Sequence, residues 1–133
     1  MFLAYASRHG PALLDCALYV PQAWRNDRAR CECAGMLAKH PFATKPQLAR
    51  QMLKSAFEAK VPATWVTGDS VYGDDWRLRG WLEEQAQTYV LAVSGKEYVW
   101  RGWQQHQVQT VLATLPPDGW TRLSAGAGTK GRR

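Results

Sequence analysis

The apolar positions change rhythm several times along the chain, and each rhythm predicts a different element. Phe2 to Ser7 is a short apolar and aromatic run ended by Arg8-His9-Gly10-Pro11, and Ala12 to Val20 is a second run that ends at Pro21. Together they predict a β-hairpin with a Gly-Pro turn. Trp24 to His40 has no clear period and carries Arg25, Arg28 and Arg30, which reads as a loop with one irregular turn. From Thr44 the spacing becomes helical. Thr44 with Gln47 three residues later forms a capping-box signal, Pro46 is tolerated in a first turn, and Ala49, Met52, Leu53 and Ala56 make an apolar stripe that predicts a helix to about Lys60. Pro62 breaks it. Ala63 to Thr67 is β-branched and aromatic, as expected of a strand buried on both faces that ends at Gly68-Asp69. After a turn at Tyr72-Gly73, Asp74 or Asp75 is placed to cap a second helix with Trp76, Leu78, Trp81, Leu82 and Ala86 on one side. Tyr89 to Val93 then predicts another buried strand. The order strand, strand, helix, strand, helix, strand is that of an α/β layer with a mixed sheet and flanking helices. Beyond Gly95 the pattern predicts a short strand over Val99 to Gly102, a helix or irregular segment over Gln107 to Leu115, and a late strand over Trp120 to Leu123. The tail from Ser124 to Arg133 reads as frayed or cut.

Composition narrows the class. The chain has 133 residues, 46% hydrophobic and 21% charged, with seven tryptophans and five tyrosines, so it has the makings of one compact domain with one core and not of a disordered or fibrous chain. Its apolar runs fall far short of the roughly 18 to 20 residues that cross a bilayer. Met1 to Tyr5 lacks the basic flank of a signal peptide. A soluble cytoplasmic protein with no membrane partner is therefore expected. Cys16, Cys31 and Cys33 contain no Cys-x-x-Cys pair and have no His at zinc-ligand spacing, which predicts free thiols. The net charge of +6 suits a nucleic-acid partner, though solvated Lys and Arg give the same total. Its distribution is more informative: residues 1–60 hold nine basic and four acidic side chains, 61–100 three and six, and 101–133 five and one. An acidic centre lies between basic arms.

Candidate chemistry starts at the carboxyl ends of the strands, where loops and helix N-termini converge in open α/β sheets. Asp69 occupies such an end. By spacing alone it reads first as a turn or Asx residue before a helix, with a ligand role as the sharper alternative. Asp74 and Asp75 read as helix caps. His9, His40 and His106 lie on unrelated segments, so no ligand or general-base pair is predicted. Arg25, Arg28 and Arg30 are the candidate phosphate contacts, weighed against an ordinary solvated charge run. Gly126 and Gly128 with Lys130 lack the spacing of a phosphate-binding loop. Trp100 and Trp103 could stack on bases, but packing in a core or subdomain is the leading expectation.

Several segments carry a resemblance more specific than fold class. Phe2-Leu3-Ala4-Tyr5-Ala6-Ser7, Leu18-Tyr19-Val20-Pro21 with Trp24, Phe42 through Ala49, Trp65-Val66-Thr67-Gly68-Asp69-Ser70-Val71-Tyr72-Gly73, Leu78-Arg79 with Trp81-Leu82-Glu83, and Tyr89 to Val93 resemble, in the same order, the catalytic core of DDE transposases of bacterial insertion sequences. The tail from Leu123 through Gly131 also resembles a stretch of that family. The strand, Asp and Val-Tyr-Gly block is the most specific part. The resemblance implies an RNase H-like fold in which three acidic residues hold two divalent cations, usually Mg²⁺ (or Mn²⁺), while water and then a 3′-hydroxyl attack a DNA phosphodiester. Two ions about 4 Å apart need several carboxylates at once.

By that resemblance Asp69 is the family's second acid, a catalytic residue and metal ligand, and the DNA partner is the element's terminal inverted repeats, bound by a possible transposase homo-oligomer. The family's first Asp lies on a strand before the segment matched by Phe2, and its closing Glu on a helix beyond the tail. The resemblance therefore implies an incomplete RNase H-like core, with the first central strand and the closing helix missing. Residues 1–123 would form the partial catalytic core, of which about 96–123 belong to an insertion or subdomain, followed by a tail at 124–133. No other Asp or Glu matches the two remaining acids, so the cations are not expected to be held by this chain alone. The expected function is that of a transposase fragment without strand-cleaving activity. The alternative is a basic DNA-binding or transposase-interacting remnant. A sheet that lacks its middle strand also predicts a marginally stable, aggregation-prone chain.

Overall fold

The computed structural model describes residues 1–36 and 41–121, together with the backbone of 127–128 and 131–132. The chain divides into two compact units, Met1–Val93 and Ser94–Arg133.

The first unit opens with the predicted hairpin, β1 (Phe2–Ser7) and β2 (Gly10–Cys16), antiparallel with Ser7 opposite Gly10 and a register shift between Leu3 and Ala4. Gly10 sits at φ +116°, a conformation that favours glycine and lets the chain reverse after Arg8-His9. β2 stops at Cys16, earlier than the run to Val20 suggests. The stretch expected to be a loop instead folds as two short helices, α1 (Gln22–Arg25) and α2 (Arg28–Cys33). Asp27 caps α2 by accepting from the Arg30 N–H at 3.0 Å.

Helix α3 (Lys45–Glu58) begins as predicted, with Thr44 Oγ1 accepting from Gln47 N–H and Gln47 Oε1 accepting from Thr44 N–H. Its inward face is formed by Leu48, Met52 and Leu53. Strand β3 (Val66–Gly68) follows, then a one-turn helix α4 (Ser70–Gly73) where a turn was expected. Helix α5 (Trp76–Glu84) is capped by Asp75, whose carboxylate accepts from Leu78 N–H at 2.8 Å. Strand β4 (Tyr89–Leu91) then pairs parallel to β3, Val66 opposite Tyr89 and Gly68 opposite Leu91.

The buried cluster is a helix–helix seam of Leu53, Leu78, Trp81 and Leu82, onto which Leu3, Phe57, Val66 and Leu91 pack. Phe57 and Trp81 stack with ring centroids 5.7 Å apart. Trp76 does not share this face. It precedes Leu78 by two positions, about 200° around a helix, and is 65% exposed. Ala86 is also outside it, because α5 has ended: Ala86 adopts φ +52° while its N–H donates to Glu83 O and Gln87 N–H donates to Leu82 O. Helix α3 ends in the same way at Lys60, with φ +55°.

The strands expected to be buried on both faces are covered on one. Val66, Leu91 and Tyr89 lean toward α3 and α5, while the intervening Val90 is 60% exposed. Alternation along a strand sends neighbouring side chains to opposite faces, and helices cover a single face among the described residues. The strand directions are mixed, antiparallel in β1–β2 and parallel in β3–β4, and the two pairs remain separate two-stranded sheets.

The second unit contains the hairpin β5 (Tyr98–Arg101) and β6 (Gln104–Gln107), the helix α6 (Val108–Ala113) and a 3₁₀ turn at Pro117–Gly119. Gly102 makes the hairpin turn at φ +63°. Trp120 and Thr121 are not a strand, and the rest of that expected strand lies outside the described residues. In the tail, β7 (Ala127–Gly128) pairs antiparallel with β8 (Gly131–Arg132), while the remainder of the expected frayed segment lies outside the described residues. His40 does too. No residue of 94–121 is buried, so the single core belongs to the first unit among the described residues. Trp100 and Trp103, expected to pack, are exposed instead, Trp103 at 97% on the tip of the β5–β6 hairpin.

Candidate active-site region and the arginine-bearing helices

Asp69 follows the last residue of β3 directly and is the N-cap of α4. Its backbone is extended. One carboxylate oxygen accepts from Val71 N–H at 3.0 Å, and its carbonyl accepts from Tyr72 and Gly73 N–H, both at 3.0 Å. The Asx role expected from spacing is therefore real. It leaves the side chain exposed at the carboxyl end of a parallel strand pair, where ligands are received in α/β sheets.

Two glycines set this geometry. Gly73 is buried against the end of β4, and a Cβ there would collide with the Ala92 carbonyl oxygen. Gly68 is nearly as confined, since its Cβ would stand 3.0 Å from Leu91 Cδ2 and 3.2 Å from Tyr72 Cδ2. The turn carrying Asp69 is thus pressed onto β4 through its backbone, and Ala92 N–H extends the ladder to Gly68 O at 3.0 Å. Arg79 of α5 closes the arrangement by donating from Nη1 to the Gly73 carbonyl. The sequence pattern marks Gly73 only as a turn residue and gives Arg79 no role at the strand end. The Val-Tyr-Gly wording is the available signal for the first; the second carries none, because its hydrogen bond depends on where α5 packs.

Burial raises the Tyr72 phenol above its ordinary 10.0, and the negative charge of Asp69 raises it further. Among the described residues, no three His, Cys, Asp or Glu side chains gather where a metal ion could be held. Asp74 and Asp75 belong to helix ends, Asp74 as the C-cap of α4 and Asp75 as the N-cap of α5. Fewer than three such side chains gather at the strand end among the described residues, and that does not fit a two-ion site.

The arginines named from sequence lie on α1 and α2 and not in a loop. Arg30 stacks over Trp24 at 3.9 Å, Arg25 lies 5.5 Å from the Phe42 ring, and Arg28 Nε donates to Glu32 Oε1 at 3.0 Å. All three are exposed. An exposed i,i+4 pair such as Arg28–Glu32 contributes about 0.3–0.5 kcal/mol, so it holds the guanidinium only loosely. The cysteines are free: Cys16 and Cys33 are exposed, and Cys31 Sγ lies 3.1 Å from Trp24 O.

Small parallel and antiparallel sheets flanked by helices, with an acid at the end of the parallel pair, are consistent with a partial RNase H-like α/β domain. Residues 1–116 match the family described as DDE superfamily endonuclease, and the chain belongs to that family. Neither the curated proteins nor the solved structures gave a significant match. The family is one of nucleases that act on DNA and generally use divalent metal ions. No helix among the described residues is long and apolar enough to cross a membrane.

Proposed function

We propose that this chain represents the middle of the catalytic core of an insertion-sequence transposase, whose family cleaves and transfers DNA strands with Mg²⁺ or Mn²⁺, and that by itself it does not cleave DNA. Asp69 is read as the second acid of the metal-binding triad. The substrate in this reading is the element's terminal inverted repeats, the working assembly is a transposase homo-oligomer, and the setting is the cytoplasm. The observation that carries it is the exposed carboxylate of Asp69 at the end of β3, with no cluster of three metal-ligating side chains among the described residues. Fewer than three ligating side chains supply too few oxygens for two ions, and this coordination chemistry supports the reading of inactivity.

Incubating terminal-repeat DNA with the chain in Mg²⁺ or Mn²⁺ tests this. Nicking at background level is expected for the unaltered chain and for Asp69→Ala alike. Turnover by the unaltered chain that disappears in Asp69→Ala overturns the claim of inactivity.

A second reading is favoured by the exposure of Arg25, Arg28 and Arg30 on neighbouring short helices within a basic arm. In it the chain binds DNA without cutting it. Changing the three to alanine together should weaken binding and flatten its salt dependence by about 0.9 in logarithmic slope for each phosphate no longer neutralised. Binding that is absent, or insensitive to salt, removes this reading.

A further inference from the structure

Three rings and three cations pair off along one stretch of the first unit. Lys45 Nζ lies 5.2 Å from the centroid of the Tyr19 ring, the Arg25 guanidinium 5.5 Å from that of Phe42, and the Arg30 guanidinium 3.9 Å from that of Trp24. The first two pairs tie the segment 19–25 to the segment 42–45. The third extends the patch onto α2, because Trp24 and Arg25 are neighbours on α1. Cation–ring pairs elsewhere are of another kind: Arg77 lies over its chain neighbour Trp76, and Arg50 over the core residue Trp81.

A ring holds a guanidinium differently from a carboxylate. Glu32 holds Arg28 by accepting its Nε–H, which occupies a donor and offsets its charge. A ring covers one flat face and leaves the N–H donors, which point outward in the guanidinium plane. At 3.9 Å Arg30 is in stacking contact with Trp24. Among the described residues no carboxylate stands within ion-pair distance of Arg25, Arg30 or Lys45, and all three are exposed. Of the two acids between Tyr19 and Lys45, Glu32 serves Arg28 and Asp27 caps α2. The three cations are therefore restrained while their charge and donors stay open to solvent. That arrangement suits an anion with several oxygens. Long exposed side chains lose rotamer freedom when they grip a ligand, and a ring that restrains them beforehand makes that loss smaller.

We propose that Trp24 and Phe42 are positioning residues for DNA binding: they hold Arg30 and Arg25 with their N–H donors presented to phosphodiester oxygens. Lys45, restrained by Tyr19, is a further phosphate contact on the same patch. The inference rests on the DNA-binding reading of this chain and adds what places the cations. The rings act on the arginines and not on the bases. Contacts of this kind carry no base sequence, so the patch binds the backbone of any duplex.

The test is an anisotropy titration of a short fluorescein-labelled DNA duplex of arbitrary sequence with the full chain, repeated over a series of NaCl concentrations. Trp24→Leu removes a ring and no charge. It should weaken binding about two- to fivefold, the worth of one exposed cation–ring contact, and leave the salt slope unchanged, because as many phosphates are neutralised as before. Arg30→Ala and Lys45→Ala should each weaken binding and lower the slope by about 0.9. The deciding variant carries Trp24→Leu and Arg30→Ala together. It should bind as Arg30→Ala alone does, since a ring that acts only through Arg30 has nothing left to position. Should Trp24→Leu lose the circular dichroism of the unaltered chain, Phe42→Leu with and without Arg25→Ala decides in the same way, at a ring that is 41% exposed. Additive losses in the double variant overturn the proposal, because the ring would then act other than through its arginine. So does a salt slope lowered by the ring substitution. An unaltered chain that does not bind the duplex overturns the DNA-binding reading and this inference with it, whereas ring substitutions without effect in a chain that binds overturn the inference alone.

Discussion

The hairpin β1–β2 and the seam between α3 and α5 belong to the same unit and are built in opposite ways. The hairpin has no buried residue: Leu3 and Tyr5 are half-buried and every position of β2 is exposed, Leu13 at 71%. The seam holds Leu53, Leu78, Trp81 and Leu82, the last at 0% exposure. Backbone pairing makes the first and apolar burial makes the second. A two-stranded ribbon is marginal in water unless something packs on it, so the hairpin's stability is borrowed from the seam through Leu3. Order in this molecule flows from the helices to the strands.

The sharpest way to break that comparison is to truncate one leucine in each region. Leu82→Ala should cost about 2–5 kcal/mol, the range for a fully buried leucine, and in a chain with so small a core it should remove the cooperative urea transition. Leu13→Ala should shift the urea midpoint by no more than about 0.5 kcal/mol, as for other exposed positions. Comparable losses from both would mean that the hairpin carries a core of its own.

Next in size is Gly73→Ala. The new methyl meets the Ala92 carbonyl, which is backbone and cannot swing aside as a side chain would. The expected cost is about 1–3 kcal/mol, the usual penalty for overpacking. The substitution should loosen the turn that carries Asp69 before it loosens the hairpin, which hydrogen exchange at Tyr72 and Ala92 against Tyr5 would resolve. Equal exchange at all three sites would contradict the separation of the two regions.

A smaller effect, of opposite sign, is expected at the helix ends. Helices α2, α3 and α5 all finish with the same paired hydrogen bonds around a residue at positive φ, which is Gly35 in α2 but Lys60 and Ala86 in the others. An L-residue with a Cβ carries about 1–2 kcal/mol of strain there, partly offset by the greater chain entropy of glycine when unfolded. Ala86→Gly should therefore stabilise the seam by about 0.5–1 kcal/mol, seen as a higher urea midpoint with an unchanged slope.

These ends also explain what could and could not be read in the sequence. The start of α3 was legible because Thr44 and Gln47 act within one turn, and Asp69 at a strand end was legible because β3 is short and closed by a glycine. Helix α2 had its own local signals, Asp27 as cap and Gly35 eight residues on, but its interior Arg28-Ala29-Arg30-Cys31-Glu32-Cys33 has no apolar stripe to announce it. The ends of α3 and α5 lack the customary glycine, so the apolar spacing runs on to Ala86, past the last helical residue Glu84. Burial was the least legible property. Ala63 to Thr67 and Tyr89 to Val93 carry no charged residue, yet composition does not say how many faces a neighbour covers. The arginines were found as residues but not as helix-borne groups stacked on Trp24 and set beside Phe42, since those pairings join separate turns.

The smallest expected effect is electrostatic and asks whether Asp69 is held where its cap places it. Tyr72 titrates above 10.0 in the folded chain, first through burial and second through the Asp69 charge. A phenol raised in the native state favours folding at pH below its unfolded value, and that contribution disappears as pH climbs through the raised value. Asp69→Asn keeps an oxygen for Val71 N–H, because asparagine caps helices as well as aspartate does, while removing the charge. The Tyr72 titration, isolated as the difference from Tyr72→Phe in tyrosinate absorbance, should then move down but stay above 10.0, since burial is the larger cause. A return all the way to the ordinary value would make the carboxylate the dominant neighbour. No movement would mean that the Asp69 side chain points away from Tyr72, and with it away from the strand end on which the reading of this acid depends.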